Sequence, residues 1–140
     1  MDNMKTTQVY HFSCCYLVGT ELYSYRYRVH ATVECPQRFQ DIGYVLEFTE
    51  FKNYLKLSVP DKSFLWSNRN IASMEIAKVM DENSVSTRFC NYDISAEKLC
   101  EDIATKLQEI LDFNEPGVIV TEIKLYETSE SCAIWSRNLA

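Results

Sequence analysis

The sequence predicts an α+β fold, in which one antiparallel four-stranded sheet carries its helices on one face. Residues 23–34 alternate strictly between two kinds of side chain, which is typical of a strand with one buried face. Residues 95–113 place their apolar side chains on one wide stripe, which is typical of an amphipathic helix. The predicted order is strand, strand, helices, strand, strand. Tight links pair such strands antiparallel, and the apolar sheet face then requires helices against it.

The first strand pair is predicted at 8–18 and 23–34. The apolar face of the second strand holds Tyr23, Tyr25, Tyr27, Val29, Ala31 and Val33. The corresponding face of the first strand holds Tyr10, Phe12, Cys14 and Tyr16. Because the link Gly19-Thr20-Glu21 is short, we expect an antiparallel hairpin.

The middle of the chain is predicted to be mainly helical. Residues 44–48 are predicted as an extended stretch, after which Thr49 caps a helix that runs to about Leu57. Residues 71–80 are predicted as a short amphipathic helix, and residues 84–90 as a short strand.

The last part of the chain is predicted as one long helix and a second strand pair. Ser95 is the expected N-cap of the helix at 95–113, which stops at Asn114-Glu115-Pro116-Gly117. Residues 118–126 and 132–135 then form the closing strands.

The composition is that of one ordinary domain covering residues 1–140, with 1–7 and 136–140 expected to be flexible. Hydrophobic residues make up 46% of the chain and charged residues 24%. No apolar run is long enough for a membrane span, so we expect no membrane partner. The N-terminus MDNMKTTQ lacks the apolar core of a secretory signal, so the sequence predicts a cytoplasmic protein with six reduced cysteines.

The charged residues do not favour nucleic-acid binding. The net charge is −6, whereas phosphate attraction requires net or dense positive charge. Arg26 and Arg28 flank Tyr27, but two arginines on an exposed strand face are usually a solvated face. His11 and His30 also fall on polar strand faces and could approach each other, either as ordinary surface or tunnel-lining residues or as a metal pair.

Six short motifs, in the same order along the chain, resemble those of the 6-pyruvoyl-tetrahydropterin synthase and 6-carboxy-tetrahydropterin synthase family. The family patterns are F-x-A-x-H, H-G-H-x-Y/F, G-x-V-x-D-F, D-H-x-x-L, P-T-x-E-x-L-A and E-T. The matching segments are FSCCY at 12–16, YSYRY at 23–27, GYVLEF at 43–48, DKSFL at 61–65, ISAEKLC at 94–100 and YET at 126–128.

The resemblance covers nearly the whole chain and implies the tunnelling fold, or T-fold. It also implies a homo-oligomer, since family members form trimers that pair into hexamers. The predicted sheet also has free edges, whose unpaired backbone groups favour pairing between copies of the chain.

The resemblance does not extend to the metal-binding positions. In the family three histidines bind zinc, and the matching residues here are Tyr16, Tyr23 and Tyr25. A neutral phenol with a pKa of about 10 is a poor zinc ligand at pH 7. Gly19 occupies the position of the family's usual nucleophilic cysteine, and Lys62 that of a proton-relay histidine. We therefore expect no zinc and no other cofactor.

The ring-binding position of the family is retained. Glu127 and Thr128 match the E-T motif, whose glutamate holds the pterin or purine-like ring in the family. A carboxylate suits this task because it accepts two parallel hydrogen bonds, each contributing about 1.5–3 kcal/mol when shielded from water. The alternative is that Glu127 is an ordinary solvated carboxylate.

The tyrosines have three interpretations at this stage. They fill the core, or they line a pocket and stack on a planar ligand, or they form a phenolate–metal site. For the whole protein we favour a pterin- or purine-binding protein, or an oligomeric structural subunit, without zinc chemistry. The alternative is an active lyase-type enzyme on a dihydroneopterin-triphosphate-like substrate. Its candidate catalytic residues are Asp61 and Lys62, which otherwise occupy a solvated turn.

Overall fold

The computed structural model describes residues 4–137 of the chain. Its strands are β1 (Lys5–Val18), β2 (Glu21–Glu34), β3 (Ser63–Ser67), β4 (Thr87–Cys90), β5 (Ile119–Tyr126) and β6 (Cys132–Ser136). Its helices are α1 (Pro36–Ile42), α2 (Phe48–Ser58), α3 (Ile71–Glu82) and α4 (Ala96–Asn114). Within these residues the strands form one six-stranded sheet in the order β4-β3-β1-β2-β5-β6. The predicted α+β class is confirmed. Among residues 4–137, every helix is too short or too polar to span a bilayer.

The β1–β2 hairpin is the centre of the sheet and follows the predicted alternation. Its two strands of 14 residues pair along their full length, and Val18 pairs with Glu21 across the two-residue turn Gly19-Thr20. Gly19 has a φ of 62°, which is the left-handed conformation that such a turn requires at its first central position. Tyr27 and Val29 are both 0% exposed on the inner face.

The prediction of a four-stranded antiparallel sheet is wrong, because the sheet also contains β3 and β4. β3 runs parallel to β1, and β4 runs parallel to β3, so the sheet is mixed. The sequence SFLWS of β3 shows no alternation, because both faces of the strand are covered and four of its five residues are buried. Alternation therefore gave no signal for this strand.

The prediction that all helices lie on one face is also wrong. α2 and α4 contribute Phe51, Leu55 and the apolar stripe of α4 to the main core. α3 instead packs on the opposite face, where Ala77 joins Leu17 and Phe64 in a second small core. The reason is the topology: α3 connects the parallel strands β3 and β4, and such a connection has to cross over a face of the sheet.

Helix α1 was not predicted. It begins with Pro36, where the missing N–H costs nothing, and it ends at Gly43, whose φ of 82° is left-handed. Residues 44–47 are irregular rather than extended, and Phe48 already belongs to α2. Glu47, and not Thr49, caps α2, because its carboxylate accepts hydrogen bonds from Thr49 N at 3.0 Å and Glu50 N at 2.8 Å.

The other elements agree closely with the sequence. Ser95 caps α4 by accepting a hydrogen bond from Lys98 N at 3.1 Å, as predicted. Segments 1–7 and 136–140 were expected to be flexible. Of these, residues 1–3 and 138–140 lie outside the described residues. Residues 5–7 instead belong to β1, and Ser136 belongs to β6.

Glu115 connects three helices at the end of α4. Arg38 on α1 donates a hydrogen bond to Glu115 Oε2 at 2.7 Å, and the Tyr54 hydroxyl on α2 donates one to Oε1 at 3.1 Å. The Arg38 and Glu115 side chains are only 21% and 15% exposed. Burial on its own raises the pKa of Glu115, but the hydrogen bonds from Arg38 and Tyr54 outweigh it, and the pKa lies below its ordinary value.

We predict that Glu115→Gln lowers the free energy of unfolding by about 1–3 kcal/mol at pH 7, because it removes the charged partner of half-buried Arg38. Since the pKa is lower in the folded state, this contribution is complete above the unfolded value of about 4.3 and is lost at lower pH. Urea denaturation should show the difference narrowing from about pH 5 to about pH 3. Glu109→Gln, at an exposed position of α4, is the control. Equal effects of both substitutions would contradict this role.

Candidate functional site

The three predicted site tyrosines lie together on the inner face of the β1–β2 hairpin. Tyr16 pairs directly with Tyr23 across the strands, and their ring centroids are 6.2 Å apart. Tyr25 follows at 6.0 Å from Tyr23, and Tyr27 at 5.4 Å from Tyr25. We call these four residues the tyrosine row. Tyr27 was not chosen as a site residue from the sequence, although the same alternation places it on this face.

A buried hydrogen bond joins the hydroxyls of Tyr16 and Tyr27 at 2.9 Å. The two residues are 3% and 0% exposed. Burial is the largest cause that raises the pKa of Tyr16, and the negative charge of Glu127 adds to it. Burial, the hydrogen bond to Tyr16 and Glu127 also raise the pKa of Tyr27. Both side chains are therefore neutral phenols that satisfy each other.

Tyr23 and Tyr25 are half-buried and form the accessible part of the row. The Tyr23 hydroxyl donates a hydrogen bond to Glu21 Oε2 at 3.1 Å. That bond is the largest cause that raises the pKa of Tyr23. The hydroxyls of Tyr16 and Tyr23 therefore have different partners. They do not converge on one shared atom.

Glu127 lies beside the tyrosine row, at the turn between β5 and β6. Arg28 pairs with Tyr126, so the next position places Glu127 beside Tyr27 on the inner face. Its backbone N–H donates to Ser131 O at 3.1 Å, which closes the turn. The half-buried side chain lines a small cavity of about 120 Å³. The other lining residues are Ala96, Glu97, Ser131, Cys132 and Ala133.

Thr128 shapes this turn. It is exposed, and its hydroxyl oxygen accepts hydrogen bonds from Glu130 N at 3.2 Å and Ser131 N at 3.1 Å. These two bonds hold the turn that positions the neighbouring Glu127 carboxylate.

Asp61 and Lys62 connect the start of β3 to β1. Asp61 Oδ1 accepts a hydrogen bond from Ser13 N at 2.9 Å, and Lys62 N donates to Ser13 O at 2.6 Å. Lys62 lines a separate cavity of about 210 Å³ together with Cys15 and Met80. The structure thus brings Glu127 and the tyrosines together, and it places Lys62 in a different cavity.

A larger cavity of about 540 Å³ lies elsewhere, between the β1–β2 turn, the start of α3 and the loop before α4. Its lining includes Val18, Gly19, Asn70, Ile71 and Ile94, and none of the predicted site residues. Size alone therefore does not distinguish the tyrosine row, whose distinguishing feature is its chemistry.

The comparison with known proteins assigns the family. The model of the 6-pyruvoyl tetrahydropterin synthase family matches residues 11–138. The chain belongs to this family. No curated protein matches the chain in sequence.

Solved structures agree in fold across almost the whole length. The uncharacterized protein WS1659 from Wolinella succinogenes has a TM-score of 0.75 at 13% identity, covering 99% of this chain and 100% of that one. The 6-pyruvoyl tetrahydropterin synthase of Plasmodium falciparum has a TM-score of 0.64 at 16% identity, covering 98% of this chain and 99% of that one. That of Caenorhabditis elegans gives 0.62 at 12% identity, with 99% and 98% covered. At these identities the similarity establishes the fold alone.

The residues at the positions where the resemblance implies metal ligands do not fit zinc. Zinc binds imidazole, thiolate or carboxylate, whereas Tyr16 and Tyr23 offer phenols whose pKa values are raised above 10. Each of these two hydroxyls also has a partner already, Tyr27 and Glu21 respectively. Binding a cation there would require deprotonation and the loss of both hydrogen bonds.

We predict that Tyr16→Phe lowers the free energy of unfolding by about 1–3 kcal/mol, because it leaves the buried Tyr27 hydroxyl without a partner. The double variant Tyr16→Phe/Tyr27→Phe should lose less than the sum of the two single variants, since no orphaned hydroxyl remains. Urea denaturation of all four proteins measures this coupling. Tyr44→Phe, at a position 52% exposed, is the control. Additive losses would show that the hydroxyl pair is not stabilising.

Proposed function

We propose that this protein binds a pterin- or purine-type ring at Glu127 and the tyrosine row, without the zinc-dependent chemistry of the enzymes that it resembles. The observation that carries the proposal is that a half-buried carboxylate lies on the same sheet face as a row of tyrosines. The negative charge of Glu127 raises the pKa of both Tyr16 and Tyr27, which supports the proximity of Glu127 to these two tyrosines.

The chemistry of the two groups suits one planar ligand. The Glu127 carboxylate accepts two parallel hydrogen bonds from an amino group and the adjacent ring N–H of a pterin or guanine. Tyr23 and Tyr25 are accessible enough to offer aromatic faces and edges to the ring. Such a ring is mostly apolar on its faces and polar on its edge, which matches this arrangement.

The size of the Glu127 cavity supports a role for a second copy of the chain. Pockets that enclose small molecules usually measure about 300–1,000 Å³. The cavity at Glu127 measures about 120 Å³, so one chain encloses only the polar edge of such a ring. β4 and β6 are the edge strands of the described sheet, and their outward backbone groups favour pairing with other copies. We therefore propose a homo-oligomer, a trimer or hexamer, that completes the pocket.

The absence of zinc chemistry is part of the same proposal. Neutral phenols are poor ligands for zinc, and zinc is the Lewis acid that would polarise a substrate oxygen. In this proposal the row provides packing and orientation, and no reaction step is assigned to it.

The alternative of a lyase that uses Asp61 and Lys62 receives less support. The Asp61 carboxylate accepts the Ser13 N–H, and Lys62 lines a cavity separate from Glu127. A catalytic pair would have to reach the ring held at Glu127, so these positions favour a binding role.

The chemistry of the chain supports a proposed compartment and a proposed class of ligand. All six cysteines carry free thiols, which supports a reducing, cytoplasmic environment. The net charge of −6 supports a small-molecule ligand rather than nucleic acid.

We predict that pterin, neopterin or guanine raises the melting temperature of the wild-type protein in a thermal-shift series. Glu127→Gln keeps the shape of the side chain but removes its charge and one acceptor. The affinity for the ring should therefore fall by about ten- to a hundredfold. Glu130→Gln, at an exposed position of the same turn, is the matched control. A wild-type protein that responds to none of these compounds, or a Glu127→Gln protein that responds fully, would contradict the proposal.

A further inference from the structure

The sheet face opposite the main core carries positive and aromatic side chains on three neighbouring strands. His11 on β1 pairs with Arg28 on β2, and Arg28 pairs in turn with Tyr126 on β5. One row further, His30 on β2 pairs with Lys124 on β5. Directly paired residues have their Cβ atoms about 4.5–5.5 Å apart, so these side chains form one patch. We call His11, Arg28, His30 and Lys124 the basic cluster.

Tyr126 holds two members of the basic cluster in place. The guanidinium carbon of Arg28 lies 4.4 Å from the centroid of the Tyr126 ring, a cation–π contact. The His30 ring lies 5.1 Å from the same ring. The atoms Arg28 Nε and His30 Nε2 are buried, and neither has a hydrogen-bond partner within residues 4–137. The cluster is therefore held by stacking, while part of its hydrogen-bonding capacity is unused.

The positive charge of this face is poorly compensated. In the part of the chain that the structure describes, Glu122 lies 3.8 Å from Lys124, and no carboxylate forms an ion pair with Arg28. The pKa of His30 is lowered by burial and by the positive charges of Arg28 and Lys124, with a contribution from His11. This local repulsion occurs although the chain as a whole carries a net charge of −6.

Other ionisable groups on this face are few. By strand register they are Lys5, Cys15, Arg26, Glu34, Glu122, Tyr126 and Cys132. Glu34 lies two rows beyond His30 along β2, so it does not neutralise the cluster. A multivalent anion would supply the missing negative charge.

We propose that the basic cluster binds a phosphate-type oxyanion, either free phosphate or the phosphoryl group of a larger molecule. The outer N–H groups of Arg28 give paired hydrogen bonds to such an anion. Lys124 adds a positive charge, and the imidazoles of His11 and His30 add ring N–H donors. This site lies on the sheet face opposite Glu127 and is independent of the ring-binding proposal.

Binding should be linked to protonation of His30. A dianion beside Arg28 and Lys124 offsets the repulsion that lowers the pKa of His30, so the bound anion should raise that pKa. By linkage, the affinity should increase as the pH falls and His30 takes up its proton. Sulfate is the suitable probe for this test, because it remains a dianion from pH 5 to pH 8 whereas phosphate changes its charge.

The test is a sulfate titration followed by the NMR signals of the His11 and His30 rings, at constant ionic strength set with sodium chloride. We expect saturable shifts of these signals, a raised His30 pKa, and tighter binding at pH 5.5 than at pH 8. Glycerol phosphate should reproduce the effect and glycerol should not, while inorganic phosphate tests the free anion. Shifts that do not saturate, or that chloride reproduces at equal ionic strength, would overturn the proposal.

Variants locate the site. Arg28→Gln should weaken sulfate binding at least tenfold, whereas Arg69→Gln should leave it unchanged. Arg69 is a suitable control because its side chain is 61% exposed and lies outside the cluster. If Arg28→Gln does not fold, Lys124→Gln replaces it as the test. The Lys124 side chain is 36% exposed, and its substitution should also weaken sulfate binding. Equal losses in the cluster variant and the control would contradict the proposal. Glu127→Gln should bind sulfate normally, which separates failure here from failure of ring binding.

Discussion

The register of the β1–β2 hairpin determines both faces on which function is proposed. The two-residue turn Gly19-Thr20 pairs Val18 with Glu21, and the strands then stay in step for their full length. Because side chains alternate, a shift of one residue in β2 would move its tyrosines to the outer face and Arg28 and His30 to the core. The left-handed conformation of Gly19 therefore matters far beyond the turn itself.

On the inner face the main consequence is that phenols occupy the positions at which the family resemblance implies imidazoles. Tyr16 and Tyr27 satisfy each other through one buried hydrogen bond, and their raised pKa values keep both neutral. A pair of this kind stabilises the core and gives the sheet a firm aromatic surface next to Glu127. The same backbone that supports metal chemistry in one sequence thus supports ring recognition, as we propose, in another.

The elements with strong periodicity could be predicted, and those defined by long-range contacts could not. The alternation of β2 and the stripe of α4 correctly gave both elements, whereas β3 (Ser63–Ser67) is buried on both faces and has no pattern to detect. The position of α3 depends on the parallel pairing of that undetected strand. The site shows the same division. Strand alternation placed the tyrosines on one face, and the family resemblance selected three of them together with Glu127. The hydrogen bond of Asp61 to Ser13 joins residues 48 positions apart and leaves no trace in the local sequence.

The central claim is that Tyr16, Tyr23 and Tyr27 remain neutral and that the tyrosine row does not bind a divalent cation. The most direct measurement is to add zinc at about pH 8 and to record both the bound metal and the near-ultraviolet absorbance of tyrosinate. We expect no tyrosinate signal, since the pKa values of Tyr16, Tyr23 and Tyr27 are all raised. One equivalent of bound zinc, accompanied by a tyrosinate signal that Tyr16→Phe abolishes, would contradict the account.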